Sequence, residues 1–460
     1  MKRNFFHLLY IGLVLIILAV PALGMLVTGP SQAGANEVLA AAPSLRNRDG
    51  SFNTGILSDV TDYMADRFAF RQEFVTAWAK LNAAVLRTSV EDKVILGDDG
   101  WLYYDATRAD YMGEGLTDGQ LQSAARNLAL MQEYVEGRGG QFLFTIAPNK
   151  NSLYPENMPG YIPYAPDTTN AARLPALLAD AGVHYAGLYA PIGAEDEVLY
   201  FATDSHWTGK GAALAADTLL TALGRTSDYY AGPFAPEEHL GDLYEMLYPA
   251  GTDTETAPAW AGGWTYTTDA DPNGGNAITI RTRNPSGTGA LLCFRDSFGI
   301  ALYPYLAQSY GDALFSRQSA YDLTQMDAVG ADTVLIELVE RNLSYLLTQP
   351  AVFPAPERDI SADRAAQGDG AVTIRLTPGT TAGTAELVQV TGTLPAGTAD
   401  AGTPVYVIAD GVCYEACRTM DARLGTDGFS AWIPAGETAS ISLLTCQEGT
   451  DTVTACTVQS

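Results

Sequence analysis

The sequence predicts an α/β protein, in which helices cover a parallel sheet, followed by a small C-terminal β-sandwich. From about residue 118, short apolar segments alternate with amphipathic helical segments, a pattern typical of parallel sheets buried on both faces. Near residue 350 this pattern ends at a proline-bearing linker, "TQPAVFPAPERD". Beyond the linker, segments with a period of two are separated by Gly, Pro and Asp turns, as in a sandwich of about 100 residues.

Residues 1–35 predict a membrane anchor or a signal peptide. An apolar run from Leu8 to Val27 follows the basic start "MKR" and is about long enough to span a bilayer. The basic residues are expected to stay in the cytoplasm, which places the rest of the chain outside it. Signal-peptide cores are about 7 to 15 residues long, so the longer run favours a retained anchor. The small-residue stretch "AGA" at 33–35 keeps cleavage and secretion open as the alternative.

Composition restricts the class of partner. The chain of 460 residues has 26 basic and 53 acidic side chains, a formal charge of −27. This charge repels phosphate backbones and argues against a nucleic-acid partner. With 47% hydrophobic and 17% charged residues, the chain is too apolar to be disordered, and its length allows two or three domains.

Residues 36–349 predict the α/β domain itself. Residues 36–90 repeat apolar positions at helical spacing and predict an entry helix. "KVILGDDGWLYYD" predicts a hairpin around Asp98-Asp99-Gly100, because glycine tolerates positive φ. Further helices and strands are expected in "GQLQSAARNLALMQEYVEGRGG", "QFLFTIAPNK", "AARLPALLADAG", "VHYAGLY", "TGKGAALAADTLLTALG", "GALLCF" and "TVLIEL".

Cysteine usage suits an oxidising compartment. Four cysteines fall in the C-terminal domain, residues 350–460: Cys413, Cys417, Cys446 and Cys456. We expect them to form disulfides, for which three pairings exist. They lack the short CxxC spacing of structural zinc sites. Cys293, in the apolar run "ALLCF", is expected to be a buried free thiol.

The first candidate site is the stretch "DSHW" at 204–207, between the strand-like "VLYFA" and a helix. Asp204 is placed to accept the Nδ1 proton of His206, which leaves Nε2 free as a base. The alternative is a histidine at a helix start, with the aspartate capping backbone N–H groups. The other histidines compete poorly, since we expect the targeting segment, the core and a loop to hold His7, His184 and His239, respectively.

The second candidate is Ser297 in "LLCFRDSFGIALYPYL", where a buried strand runs through a turn into a helix. Its own N–H then lies at a helix N-terminus, which favours a developing oxyanion. A serine there also caps helices, and the residues alone leave both roles open.

A third polar segment, "APNKNSLYPENMP", follows another predicted strand. Asn149 and Lys150 in it are candidate donors to a substrate oxygen, with a turn role for Asn149 as the alternative. Arg295 and Trp207, which lie near the serine and beside the histidine in the sequence, are further candidates for substrate or oxyanion contact.

Seven segments occur in the order "ADRFAFRQEF", "KVILGDDGWLYYD", "IAPNKNSLYPENMP", "TDSHWTGKGA", "HLGDL", "CFRDSFG" and "ELVERNL". Together they resemble the bacterial DHHW family and the SGNH-hydrolase-like proteins of alginate O-acetylation, over about residues 36–347. The resemblance implies a Ser-His-Asp triad in which Asp204 orients, His206 is the base and Ser297 is the nucleophile. Ser205 stands where the family name has its first histidine, and we expect its side chain to point away from the triad.

The resemblance also implies an activity: an extracytoplasmic O-acetyltransferase or acetylesterase that acts on an exported or cell-surface polysaccharide, without a metal or other cofactor. A membrane-bound acyltransferase is the implied supplier of the acetyl donor, and the C-terminal domain is expected to bind a glycan or to be purely structural. Two other classes stay open. One is a noncatalytic, surface-anchored glycan-binding protein on the same fold. The other is a metal hydrolase, for which Asp204 and His206 fall short of the usual three or four ligands.

Overall fold

The computed structural model describes residues 2–31, 39–47, 49–269, 275–318, 320–363, 365–400, 402–436 and 438–459. The suggested cleavage stretch at 33–35 lies outside them. The helices are α1 (Lys2–Val27), α2 (Ile56–Arg67), α3 (Arg71–Leu86), α4 (Arg108–Tyr111), α5 (Asp118–Gly137), α6 (Lys150–Leu153), α7 (Asn170–Asp180), α8 (Tyr189–Gly193), α9 (Gly209–Ala222), α10 (Asp242–Leu247), α11 (Gly299–Ser309), α12 (Gln325–Val329) and α13 (Tyr345–Thr348). The strands of the first part are β1 (Val94–Leu96), β2 (Leu102–Tyr104), β3 (Gln141–Ala147), β4 (Tyr185–Gly187), β5 (Phe234–His239), β6 (Glu255–Trp260), β7 (Thr267–Thr268), β8 (Thr279–Arg283), β9 (Ala290–Phe294), β10 (Asp312–Ser316) and β11 (Thr333–Val339). Those of the C-terminal part are β12 (Ala366–Pro378), β13 (Leu387–Thr393), β14 (Val405–Ala409), β15 (Val412–Met420), β16 (Asp427–Pro434), β17 (Ile441–Gln447) and β18 (Thr450–Val458).

The α/β domain is built on a sheet with the strand order β4-β3-β11-β9-β10-β8-β7. The strands from β4 to β10 in that order run parallel, and β8 and β7 add an antiparallel edge. Every residue of β11 is buried, as expected for the middle strand of a sheet covered on both faces. The predicted α/β fold with a parallel sheet is therefore confirmed.

Alternate side chains of the central strands enter two cores on opposite faces of the sheet. Phe142 and Phe144 belong to the core formed with α5 and α7, and Leu143 belongs to the core formed with α9 and α11. Cys293 lies in the second core and is buried, as the sequence predicts. Burial raises the pKa of its thiol, so this cysteine is unreactive in the folded domain.

Two local expectations differ from the structure. The entry helix is divided into α2 and α3, because Phe68, just after α2, is extended and Phe70, just before α3, adopts a left-handed conformation with φ of 64°. "VLYFA" does not join the sheet; instead, an isolated bridge between Tyr200 and Trp207 closes the loop that carries the first candidate site. The hairpin of β1 and β2 is present, with Asp99 and Gly100 both at positive φ.

The small C-terminal β domain is present, and its strands form a closed barrel instead of two packed sheets. Neighbouring strands in the order β12-β13-β16-β15-β14-β17-β18 are antiparallel, and a parallel pair of β12 and β18 closes the barrel. Val390, Val407 and Phe429 are among the residues that fill its interior. A period of two occurs in sandwiches and barrels alike, so the pattern alone does not reveal the closing pair between the first and last strands.

The barrel packs on helix α5 through buried polar contacts. Asn127 donates from Nδ2 to the carbonyls of Leu346 and Arg418, at 2.9 and 2.8 Å, and accepts from the Arg418 N–H at 2.9 Å. The Glu415 carboxylate, which is fully buried, receives Arg126 at 2.6 Å and Arg358 at 2.7 Å. These contacts fix the barrel against the face of the domain that α5 covers.

The four cysteines of the barrel are free thiols, which corrects the disulfide prediction. Cys413 and Cys417 are four residues apart on β15, about 13 Å along a strand, whereas a disulfide needs Cα atoms within about 7 Å. Cys446 lies opposite Asp451, and Cys456 lies opposite Val372. In this register no barrel cysteine has another cysteine as its cross-strand neighbour.

Candidate active site

Three strand ends and one loop converge at the carboxyl edge of the parallel sheet, where such folds place their chemistry. Ser297 follows β9, Asn149 follows β3, and Glu340 follows β11, which lies between those two strands. The loop between α8 and α9 adds Asp204 and His206. Segments that are up to about 190 residues apart in the chain thus meet at one edge.

A continuous hydrogen-bond chain joins a serine, a histidine and an aspartate. The atoms Ser297 Oγ and His206 Nε2 are 2.9 Å apart, and His206 Nδ1 lies 2.7 Å from Asp204 Oδ1. Burial alone raises the pKa of Asp204, but hydrogen bonds from His206 and His239 outweigh it and hold the pKa well below its usual range. Because the carboxylate is ionised, Nδ1 donates to it and Nε2 accepts from the serine hydroxyl.

The sequence left open that the Asp204–His206 stretch and Ser297 cap helices, but other residues occupy those cap positions. Thr208 is the N-cap of α9, and its Oγ1 accepts from the Gly211 N–H at 3.2 Å. The N-cap of α11 is Phe298, with no side-chain cap, and Ser297 is free to contact the histidine. Asp204 does accept one backbone N–H at a helix start, that of Asp242 at 3.0 Å, with the oxygen that His206 does not use.

Asp296 holds the turn that presents the serine. Its Oδ1 accepts from the Phe298 N–H at 2.9 Å, while its Oδ2 accepts from the Val339 N–H at 2.8 Å and from Asn342 at 3.0 Å. The turn that carries Ser297 is therefore tied to the end of β11, which fixes the position of the serine at the sheet edge.

His239, which the sequence places in an unremarkable loop, contacts the site directly. Its Nε2 donates to Asp204 Oδ2 at 2.8 Å, so the aspartate lies between two imidazoles. The ring stacks on Phe201, with centroids 4.0 Å apart. Burial lowers the pKa of His239, but the Asp204 carboxylate more than compensates and the net shift is upward. The one sequence signal for this residue is its place in the shared segment "HLGDL".

Ser205 also belongs to the site, contrary to the expectation that its side chain points away. Its hydroxyl donates to Asp242 Oδ2 at 2.7 Å and lies 3.3 Å from His206 Nδ1. Asp242 Oδ1 accepts from the Ser205 N–H at 2.7 Å. Burial and the nearby charge of Asp204 raise the pKa of Asp242.

The added aspartate bears on the metal-hydrolase alternative. Ligand atoms of Asp204, His206 and Asp242 lie within 4.8 Å of one another. The structure thus brings together three possible ligands, where the sequence alone offered two. The carboxylates of this cluster already accept hydrogen bonds from backbone N–H groups, the Ser205 hydroxyl and the imidazoles. The cluster is thus satisfied by the protein's own donors.

Three of the four candidates for substrate contact have other partners. Lys150 is buried and donates from Nζ to the carbonyls of residues 201, 202 and 204, at 3.0, 2.9 and 2.5 Å. Arg295, also buried, donates to the carbonyls of residues 275 and 277. Trp207 is buried, and its Nε1 donates to the Phe298 carbonyl at 3.1 Å. All three hold the loops of the site in place.

Asn149, the fourth candidate, is held from behind by Glu340. The Asn149 N–H and the Ser152 hydroxyl donate to Glu340 Oε2, at 2.9 and 2.7 Å. Asn149 Oδ1 is buried without a hydrogen-bond partner among the described residues. Burial raises the pKa of Glu340 to about 7, with the charge of Asp110 adding to the effect. Oδ1 can only accept, so the predicted donor role of Asn149 rests on its Nδ2 group and stays a prediction.

His184, which the sequence predicts to be a core residue, is exposed. Its side chain is 60% exposed, and Nδ1 lies 3.1 Å from Glu136 Oε1. It immediately precedes β4, the edge strand of the sheet.

Fold and geometry define the class: an α/β domain with a serine, a histidine and an aspartate hydrogen-bonded in series at the carboxyl edge of its sheet. Residues 94–278 match the family model of the "SGNH hydrolase-like domain, acetyltransferase AlgX", so this part of the chain is similar to that domain. The match includes Asp204, His206 and His239 and ends before Ser297.

The chain is similar to the probable alginate O-acetylase AlgJ of Pseudomonas syringae pv. tomato, with 30% identity over 173 residues. The alignment covers 36% of this chain and 42% of that protein, so the chain spans less than half the length of this relative. Two solved structures are similar: the O-acetyltransferase domain of Pseudomonas putida AlgJ (21% identity, TM-score 0.37, 54% of this chain and 91% of that one) and a DHHW family protein from Eubacterium siraeum (18% identity, TM-score 0.40, 54% and 94%).

Proposed function

We propose that this chain is an extracytoplasmic serine-dependent O-acetyltransferase or acetylesterase that acts on a polysaccharide. The observation that carries the proposal is the series of two short hydrogen bonds from Ser297 through His206 to Asp204. An activated serine of this kind performs acyl transfer. The similarity to proteins named alginate O-acetylases supports acetyl as the acyl group and a polysaccharide as the acceptor.

In the first half-reaction, Ser297 Oγ attacks the carbonyl carbon of an acetyl ester while His206 Nε2 takes the hydroxyl proton. The tetrahedral intermediate collapses, the ester C–O bond breaks, and His206 returns the proton to the leaving oxygen. In the second half, a sugar hydroxyl or water gives its proton to His206 and attacks the acetyl-serine carbonyl; the second tetrahedral intermediate then collapses, the bond between the acetyl carbon and Ser297 Oγ breaks, and His206 returns the proton to Oγ, which releases the acetylated sugar or acetate. Asp204 stabilises the imidazolium that forms in both halves.

The oxyanion donors in this proposal are the Ser297 N–H and the Asn149 amide. The Ser297 N–H has no protein acceptor within the described part of the chain and lies at the start of α11, where the helix dipole favours negative charge. Asn149 lies at the end of β3, two strands from the serine in the sheet order.

A cleft beside the triad loop is suited to a sugar chain. Its volume is about 890 Å³, and Trp101, Tyr161, Tyr244 and Tyr248 line it together with Thr203, the residue before Asp204. Aromatic rings with polar tips offer both an apolar face and hydrogen bonds to a carbohydrate. A second cavity of about 920 Å³ on the barrel, whose lining includes several threonines together with Arg375, Asp421 and Gln459, is the candidate for glycan binding by residues 350–460.

Location follows from the N-terminal helix. Phe6–Val27 is long and apolar enough to cross a membrane, with mean hydropathy 2.6. We propose that it anchors the domain outside the cytoplasm, where a membrane-bound acyltransferase supplies the acetyl donor.

The test is to trap the acetyl-enzyme. The protein is incubated with p-nitrophenyl acetate, quenched in acid and digested, and the peptide that contains Ser297 is analysed by mass spectrometry. We expect one acetyl group on Ser297, none in Ser297→Ala, and unchanged labelling in the matched variant Ser309→Ala on helix α11. Turnover without an acetyl group on Ser297 overturns the serine mechanism, and turnover abolished by a chelator supports the metal alternative. A protein that binds glycan without any turnover is the noncatalytic alternative.

A further inference from the structure

Helix α3 is packed with its apolar side outward. Its buried residues are Thr76, Ala79 and Asn82, and the Thr76 hydroxyl accepts from the Ala250 N–H at 2.9 Å. A surface helix of a globular protein normally buries its large apolar residues and exposes the polar ones. In α3 the small and polar face contacts the domain, so another body must cover the apolar side.

The outward side of α3 is a continuous stripe. Phe74, Trp78, Leu81 and Val85 follow one another at spacings of four, three and four residues, which places them on one face of the helix. These four residues are 38%, 59%, 53% and 67% exposed, respectively. We call these four residues the α3 apolar face. The preceding helix α2, all of whose residues are described, buries none of them.

The end of helix α1 lies against the start of α3. A Cβ placed on Gly24 would lie 2.6 Å from the ring of Phe70, so α1 packs directly on that side chain there. Just beyond α1, the Ser31 N–H donates to the Arg67 carbonyl at 3.0 Å. Because the apolar part of α1 ends at Val27, these contacts place the α2–α3 corner at the boundary of any membrane that α1 spans.

The charge of residues 67–88, which include helix α3, differs from that of the chain as a whole. Residues 67–88 contain four basic side chains, Arg67, Arg71, Lys80 and Arg87, and one acid, Glu73, in a chain whose formal charge is −27. Basic residues near a membrane surface are attracted to anionic lipid headgroups. Tryptophan and phenylalanine on the apolar side of a basic amphipathic helix are typical of helices that lie in the lipid–water interface.

We propose that α3 lies in the lipid–water interface, with the α3 apolar face in contact with acyl chains, and that it holds the domain against the bilayer. The occupant of this face is lipid, because the face adjoins a helix of membrane-spanning length and belongs to a segment, residues 67–88, with more basic than acidic side chains. One consequence concerns orientation: Leu86 and Arg87, at the end of α3, line the same cleft as Trp101 and Thr203. The opening of that cleft then lies near the membrane surface. The proposal goes beyond acyl transfer and does not depend on it.

The test measures lipid contact at Trp78. The full chain is reconstituted into vesicles of phosphatidylcholine and phosphatidylglycerol with or without bromine on the acyl chains, and tryptophan emission is recorded. We expect brominated lipid to quench the emission and the Trp78→Phe variant to lose most of that quenching, because the other tryptophans lie within the folded domains. Equal quenching of the two proteins overturns the proposal.

A second variant tests the face as a whole. Leu81→Asp together with Val85→Asp replaces exposed side chains, so we expect the fold to persist and the quenching of Trp78 to disappear. The matched control is Leu424→Asp, at a residue 78% exposed on the barrel, which should leave the quenching unchanged. Nanodiscs that hold one chain each separate lipid from a second copy. Quenching that is absent there but accompanied by shielding of Trp78 in dimers assigns the face to self-association and overturns the lipid assignment.

Discussion

Two buried carboxylates, one in each domain of the molecule, are each bound by two basic side chains. In the α/β domain, Asp204 lies between His206 and His239, at 2.7 and 2.8 Å. In the barrel, Glu415 lies between Arg126 and Arg358, at 2.6 and 2.7 Å. Both acids are almost completely buried, with side chains 7% and 0% exposed.

The two arrangements differ in what their basic partners can do. An arginine stays charged at any ordinary pH, so the pairs of Glu415 hold a geometry and transfer no proton. An imidazole exchanges a proton near neutral pH, and His206 reaches a hydroxyl with its second nitrogen. A buried acid between two bases therefore indicates catalysis only where one base continues to a nucleophile. Around Glu415 the same motif ties the barrel to α5.

The largest expected effect is on the rate of ester hydrolysis when the charge of Asp204 is removed. Asp204→Asn keeps the shape but presents an amide to Nδ1, which favours the wrong tautomer of His206; in the triad template this lowers the rate on the order of 10⁴-fold. Hydrolysis of p-nitrophenyl acetate measures it. Asp253→Asn, at an exposed carboxylate paired with Lys80, is the control and should leave the rate unchanged. A rate for Asp204→Asn within a few-fold of the parent would remove Asp204 from the mechanism.

The parts of the candidate site that lie within short sequence segments could be predicted from the sequence. Asp204 and His206 are two residues apart, and Ser297 follows a short buried strand at the edge where parallel α/β sheets place their sites. The helices and strands around them follow from apolar periodicity, as in α5, which begins at the capping box of Thr117 and Gln120.

The remaining features depend on contacts between distant segments, for which no spacing rule exists. His239 reaches Asp204 because the strand β5 and helix α10 return to the loop, 35 residues later in the chain. The barrel closes through β12 and β18, at opposite ends of the domain. The inverted helix α3 has ordinary helical periodicity, and nothing in that period reveals which face turns outward.

The next effect is on stability, at the second carboxylate. Glu415→Gln leaves two guanidinium groups without their buried counter-charge, and breaking a buried pair typically costs about 3 kcal/mol. We expect this loss in the free energy of unfolding, with the specific activity of the folded protein unchanged. Glu133→Gln is the matched control, because Glu133 pairs with the same Arg358 from the solvent side, where pairs contribute about 0–1 kcal/mol. Equal losses in the two variants would mean that burial of Glu415 does not matter.

A third carboxylate, Glu340, extends the comparison to an acid that has no basic ion-pair partner among the residues that the structure describes. Its pKa is raised to about 7 from an ordinary 4.5, because burial and Asp110 disfavour its charged form. The folded state then binds the proton more tightly than the unfolded state, so this stabilisation is complete below pH 4.5 and is lost as the pH rises through 7. Linkage gives a loss of about 2 kcal/mol between pH 5 and pH 7. Unfolding by denaturant at both pH values should show that the difference shrinks in Glu340→Gln; an unchanged difference would assign it to other groups.

The smallest expected effect concerns His239, which contacts Asp204 and not the proposed nucleophile Ser297. We expect His239→Ala to lower kcat about tenfold with KM unchanged, because one hydrogen bond that orients the Asp204 carboxylate is lost, a change of roughly 1.4 kcal/mol. His239→Gln retains a side-chain N–H donor and should recover most of kcat. Thermal unfolding of both variants shows whether His239 orients the Asp204 carboxylate or only stabilises the fold. If Ala and Gln lower kcat equally and both lose the same stability, the ring of His239 serves only to pack on Phe201, and Asp204 needs a single imidazole to act.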